Sequence, residues 1–306
     1  MLHIALGLAL VSGVPALAER RPFSLDQMSH SETGTANVSY YGGPVIGRVK
    51  VNLVFWGDGV APKTQAQLEA FYRGIVDSTY IDQLSEYATN IRAGDGREGT
   101  GQTIGRGSLG AALTIAPVNK NTRLTQADLE QELEAQIRSG GLPKPDGDSL
   151  YMIHFPDGYR ISISFGESCS AWFADHEVYR SKNAGNVAYA VFPCESGDSN
   201  NFANLTFAAS HELAEAITDP LSPLRGEPLA FPVGWLRGDG EEVGDLCTGT
   251  PSTFTDGGVS YSVNPLWLNS MHACNPGNFS SRPRDGRIPS GSDGVALTEL
   301  KSLEAR

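Results

Sequence analysis

One stretch of the sequence carries side chains that packing alone does not require: Ser210-His211-Glu212-Leu213-Ala214-Glu215-Ala216-Ile217-Thr218-Asp219-Pro220. Read as a helix, it sets His211, Glu215 and Asp219 four residues apart. Each such step turns the side chain by only about 40° around the axis, so the three share one stripe. An imidazole and a carboxylate so placed can converge on one cation, which makes His211 and Glu215 candidate metal ligands. Glu212 points about 100° away from His211. It is the candidate to activate a water, the part a glutamate plays in His-Glu-x-x-His hydrolases. The ordinary alternative is a solvated acidic helix that happens to carry one histidine.

A second motif follows, Gly240-Glu241-Glu242-Val243-Gly244-Asp245-Leu246-Cys247. Glu242 is read as a third ligand arriving from a different element, with Asp245 and Asp219 supporting ligands from behind. The pair Glu242 and Asp245 resembles the arrangement in thermolysin-like enzymes, where a later glutamate binds zinc and a nearby aspartate orients a histidine. The competing explanation is a turn at Asp239-Gly240. Tyr261 and His272 are candidates to stabilise a developing oxyanion, against the commoner roles of exposed tyrosine and core histidine. His176 is weighed as a residue lining the site, and His154 as a core or edge histidine.

The elements that must position these groups are legible in part. Val49 to Gly57 alternates and then becomes wholly apolar, as a strand buried on both faces would. Thr64-Gln65-Ala66-Gln67 offers a capping box for a helix striped with Leu68, Phe71, Tyr72 and Ile75. A short helix is expected near Tyr80 to Tyr87. Thr125 caps a helix with Leu129, Leu133 and Ile137 on one face, closed by Gly140 and Gly141. Strands are expected at Ser149 to Phe155, at Cys169 to Val178 with its end at His176, and at Asn186 to Pro193. A polar loop, Glu195 to Asn201, then leads into the focal helix, whose apolar side is Phe207, Leu213, Ala214 and Ile217. Gly105-Arg106-Gly107-Ser108-Leu109-Gly110 matches the dinucleotide fingerprint formally, but that motif must follow a strand and open a helix. This segment is read as a loop. Beyond the focal helix, loops are expected until Tyr261 to Trp267.

Whole-chain features narrow the class. Residues 1–18 of the 306 read as a secretory signal peptide: Leu2 to Val14 is nearly all apolar, and Ala16-Leu17-Ala18 precedes Glu19 as a small-x-small cleavage signal. No other stretch approaches the roughly 20 apolar residues of a membrane helix. The net charge of −12 argues against nucleic acid, which wants a basic face. Four cysteines, Cys169, Cys194, Cys247 and Cys274, suit an exported chain and allow three pairings. Cys169 with Cys194 and Cys247 with Cys274 are favoured, each closing a short loop. No Cys-x-x-Cys spacing supports a thiolate zinc site. Asn37, Asn204 and Asn278 sit in glycosylation acceptors, relevant in a eukaryotic host.

Tyr41-Gly42-Gly43-Pro44-Val45 with the strand Val51 to Trp56, the Ser210-to-Pro220 motif, and Glu242-Val243-Gly244-Asp245-Leu246-Cys247 together resemble the exordium, or phosphate-induced protein 1, family of secreted proteins. The likeness spans about Tyr40 to Cys274. It implies an extracellular or cell-wall-associated protein, linked in plants to growth responses, with a zincin-like architecture. The chain departs from ordinary zincins in that Glu215 stands where their second metal-binding histidine would be. One imidazole with two carboxylates cancels the charge of Zn²⁺ and weakens its pull on a bound water. Oxygen-rich ligation also admits Ca²⁺ or Mn²⁺.

The expectation is therefore an α+β, zincin-like domain at 40–275, a twisted mixed sheet with the metal-site helix packed on it, between a flexible lead-in at 19–39 and an extended tail at 276–306. The expected function is a secreted zinc-dependent hydrolase acting on a peptide or cell-wall-associated substrate. The alternatives are a non-catalytic extracellular protein with a structural ion, and a metal-free acid hydrolase using Glu212 and Glu242 as its carboxyl pair.

Overall fold

The computed structural model describes residues 22–23, 37–194, 199–221, 232–238, 240–247 and 249–281, with backbone alone at 199–201. The signal segment, most of the lead-in, Asp239 and the tail beyond Ser281 lie outside the described residues. The fold is mixed α+β. Its five-stranded sheet runs, in spatial order, Gly105–Ile115, Arg48–Trp56, Ser149–His154, Gly185–Phe192 and Asp175–Ser181. The first four strands are mutually parallel, and Asp175–Ser181 returns antiparallel at the edge.

Arg48–Trp56 is apolar without interruption in its second half because both faces are covered. Val51, Leu53 and Phe55 look into one layer with Leu68, Phe71 and Tyr72 of the helix Pro62–Ile75, and with Leu213 and Ile217 of the helix Ser199–Thr218. Val54 and Trp56 look into the other, against Leu129 and Leu133 of the helix Gln126–Ser139. Side chains alternate across a strand, so one strand serves two cores. Smaller sheets complete the domain. Ser39–Tyr40 pairs with Trp235–Leu236, Leu266–Leu268 with Ala273–Asn275, and Ser252–Asp256 with both Val259–Val263 and Asn278–Ser280. The last small sheet joins Arg123–Thr125, Arg160–Ile163 and Gly166–Glu167. Among the described residues, no helix is long and apolar enough to cross a membrane.

Several boundaries differ from the reading of the sequence, for identifiable reasons. Pro62 at the first helical turn, not a Thr64 capping box, starts the helix Pro62–Ile75, since its fixed φ suits that position. A capping box does form at the helix Gln126–Ser139: the Thr125 hydroxyl accepts from the Asp128 amide, and the Asp128 carboxylate accepts from the Thr125 amide. The short helix near Tyr80 divides into Thr79–Asp82 and a 3₁₀ turn, Gln83–Tyr87. The strand expected from Cys169 runs instead from Asp175 to Ser181, through His176 rather than up to it. Asn278–Ser280 belongs to a sheet, although it falls in the segment expected as a tail.

The largest correction is Gly105–Ile115, which is one edge strand, where Gly105 to Gly110 was expected to be a loop. Glycines inside a strand mark a close backbone approach or a bulge, and both occur here. The register against Arg48–Trp56 slips twice, and a Cβ on Gly107 would lie 2.0 Å from the Val49 carbonyl oxygen. Gly107→Ala must push the two strands apart. It should cost about 2 kcal/mol or more, read as a lowered urea midpoint at unchanged slope. An unaltered midpoint would contradict the close approach.

Candidate metal centre

The helix Ser199–Thr218 begins well upstream of the motif it carries and is buried on every side through its second half. Leu205, Phe207, Leu213 and Ile217 are at most 2% exposed, and so are His211, Glu212, Glu215 and Asp219. An acidic stripe inside a protein must be held by partners. The helix is fixed first through polar side chains. The Ser210 hydroxyl donates to the Phe207 carbonyl at 2.7 Å and accepts from the Asn264 amide at 2.8 Å. The Tyr80 hydroxyl donates to the Asn264 carbonyl at 2.9 Å, and the Thr206 hydroxyl to the Ser262 carbonyl at 2.8 Å. At the far end, Asp219 accepts from the Gly234 amide at 2.8 Å.

The segment after Gly240 closes over the helix. Glu215 Oε1 accepts from the Asp245 amide at 3.0 Å, and Asp245 Oδ2 accepts from the Glu242 amide at 3.1 Å. Asn264 Nδ2 donates to the Gly244 carbonyl at 3.1 Å. The disulfide Cys247–Cys274, with Cα atoms 5.5 Å apart, ties this turn to the hairpin beyond it, and Cys169–Cys194 spans the connection before the edge strand and the end of its neighbour. Both are the pairings favoured from the sequence.

Two overlapping donor sets result, His211 with Glu215 and Asp245, and His176 with Glu212 and Glu215; within each, donor atoms lie within 4.8 Å of one another. His211 Nε2 is 3.2 Å from Glu215 Oε1 and 3.6 Å from Asp245 Oδ1. His176 Nδ1 is 3.0 Å from Glu212 Oε2 and 3.8 Å from Glu215 Oε2, and its Nε2 is 3.7 Å from Glu242 Oε1. Glu215 thus turns one oxygen toward each imidazole. Gly244 lies against the same place: a Cβ there would sit 2.7 Å from His211 Nδ1 and 2.8 Å from Glu215 Oε1. The backbone therefore approaches His211 and Glu215 as closely as only glycine allows.

Charge dominates the centre. Four carboxylates, Glu212, Glu215, Glu242 and Asp245, are at most 7% exposed and share the space with two imidazoles. Such a set needs bound protons or bound cations. Burial disfavours the imidazolium of His211, but attraction to Glu215, and then to Glu212 and Asp245, outweighs it and raises the pKa from 6.5 to about 9. Neither His211 nitrogen makes a hydrogen bond of good geometry. An imidazole whose Nε2 lies 3.2 Å from one carboxylate oxygen and 3.6 Å from another, with the Gly244 backbone against it, fits a divalent ion with mixed nitrogen and oxygen donors.

His211, Glu212, Glu215, Glu242 and Asp245 are thus brought together, and Asp219 is buried at the C-terminal end of the same helix, on the Gly234 amide. Tyr261 packs in an aromatic group, 5.3 Å from Phe71 and 5.8 Å from Phe254 between ring centroids. His272 is exposed at a positive φ of 49° and 2.9 Å from Asn37. His154 is a core histidine, stacked on Phe192 and 3.0 Å from the Tyr72 hydroxyl. His176 is far more central than its sequence suggested; the available signal was a polar Asp175-His176-Glu177 run at the head of a mostly buried strand. Phe23 gave no sequence signal. Its fully buried ring lies 4.6 Å from the His211 ring.

No known family, curated protein or solved structure matches the chain.

Glu215→Gln removes the main attraction holding the His211 proton, so in metal-free protein the His211 pKa should fall well below about 9 when followed by imidazole NMR. The folded pKa lies above the unfolded value of 6.5, so protonated His211 stabilises fully below pH 6.5, and that contribution is lost as pH rises through about 9. The variant should lack this alkaline loss. An unchanged His211 titration would contradict the assigned pairing.

Proposed function

We propose that the chain is an exported, metal-dependent hydrolase of the peptidase type, zincin-like in architecture and related to the exordium, or phosphate-induced protein 1, group. The observation that carries this reading is the buried His211-Glu212-x-x-Glu215 turn closed by Glu242, Asp245 and His176. His211 and Glu215 would hold the ion, with Zn²⁺ preferred for the imidazole and Mn²⁺ or Ca²⁺ admitted by the carboxylates. When bound, it supplies Lewis-acid activation of a water. Glu212 is the carboxylate that would accept a proton from such a water. His176 Nδ1, 3.0 Å from Glu212 Oε2, fixes the direction of the carboxylate. Glu242 stands on the other nitrogen of His176 at 3.7 Å and orients the ring from behind. Glu242, whose amide Asp245 already holds, would be the third ligand. Two disulfides agree with an oxidising compartment.

The complete burial of the cluster favours one competing reading, an extracellular or cell-wall protein in which the same ion is structural. The readings part at Glu212. In the metal-loaded protein, Glu212→Gln should lower hydrolysis of a peptide library by at least about a hundredfold while metal content stays unchanged. Loss of metal together with activity would make Glu212 a ligand. An absence of turnover in the wild type would leave the structural ion.

A further inference from the structure

Glu215 faces two imidazoles, one through each carboxylate oxygen: Oε1 lies 3.2 Å from His211 Nε2, and Oε2 lies 3.8 Å from His176 Nδ1. The hydrolase reading uses only the His211 side. The other oxygen belongs to a separate trio of donors, His176, Glu212 and Glu215, whose ligand atoms lie within 4.8 Å of one another. In that trio His176 Nδ1 is 3.0 Å from Glu212 Oε2, and the far side of the ring faces Glu242, whose Oε1 is 3.7 Å from Nε2. An imidazole with one nitrogen toward carboxylate donors and the other backed by a carboxylate is the usual setting of a metal-ligating histidine. His176, Glu212, Glu215 and Glu242 are all at most 1% exposed, so water does not do the work of holding them.

We propose that the centre takes a second divalent cation, held by His176, Glu212 and Glu215, with the Glu215 carboxylate bridging it to the ion at His211. The second site rests on the first ion lying where the proposed function puts it, but it needs no turnover. The two imidazoles fall in different trios, so an ion seated in one leaves the imidazole of the other to a second ion. A carboxylate has acceptor positions on both oxygens and can serve two cations at once, and two-metal sites hold their ions only about 3.5–4 Å apart. In charge, two divalent cations match the four carboxylates Glu212, Glu215, Glu242 and Asp245. The cations repel each other across the shared carboxylate, so the second binds more weakly than the first. It also takes Glu212 as a ligand, and a ligating carboxylate does not accept a proton. On the hydrolase reading, the one-ion form is therefore the active one and the two-ion form is inhibited.

The test adds Mn²⁺ to the chelator-stripped full chain, counts bound ion by equilibrium dialysis and follows the Mn²⁺ electron paramagnetic resonance. The wild type should saturate at about two ions per chain, the second at least about tenfold weaker than the first. The spectrum should be that of isolated Mn²⁺ through the first equivalent and should broaden and lose intensity through the second, as the bridging carboxylate couples the pair. Glu212→Gln, which keeps the shape of the side chain, and His176→Gln should each keep the first ion, lose at least about tenfold in affinity for the second, and retain the uncoupled spectrum. Saturation at one ion, an uncoupled spectrum with two ions bound, a second ion held equally well by both variants, or loss of the first ion in both would overturn the proposal. Hydrolysis of a peptide library should fall at least about tenfold between the first and the second equivalent, and activity that is highest with both ions bound would overturn the inhibitory role. A coupled pair without turnover at any metal load would retire the hydrolase reading and leave the second site standing.

Discussion

Burying Glu212, Glu215, Glu242 and Asp245 around two imidazoles is the constraint on which the rest of the structure turns. Isolated carboxylates do not survive in an apolar interior, because the loss of hydration exceeds what packing returns. Here each is caught by something specific. Glu215 has the Asp245 amide and His211, Glu212 has His176 Nδ1, Glu242 faces His176 Nε2 at 3.7 Å, and Asp245 has the Glu242 amide. The arrangement still leaves several negative groups facing two rings, which is why the His211 proton is held so firmly in the absence of a cation.

The fold supplies the rigidity that such a cluster needs. A largely parallel sheet covered on both faces gives the helix Ser199–Thr218 a platform, and the antiparallel return of Asp175–Ser181 carries His176 to that helix. The turn at Asp245–Cys247 would be free to swing but for the disulfide to Cys274 and the hydrogen bonds from Asn264 and Trp267. Gly244 lets that turn press onto His211 and Glu215. Imidazoles and carboxylates from a helix, a strand and a loop thus share one small volume, each with its backbone independently anchored.

Sequence spacing carried the helix-borne part of the centre well. His211, Glu212 and Glu215 follow from helical geometry, and Glu242 and Asp245 from an acidic motif ending in a cysteine. His176 was undervalued because nothing local shows which sheet edge faces which helix; that is decided by strand order. Phe23 and Gly244 act through close approach across the chain, which no pattern of neighbours encodes. The apolar period marked Arg48–Trp56 and Gly185–Phe192 closely. It failed at Gly105–Ile115, where the glycines serve strand pairing instead of a turn. The acidic stripe itself invited a solvated reading, and only the covering by three other segments makes it interior.

Elemental analysis of the purified protein beside His211→Ala tests the central claim most directly. The account predicts about one divalent ion per wild-type chain, lost on substitution, with zinc foremost. A wild-type chain without metal, or metal content that His211→Ala leaves undiminished, would contradict it.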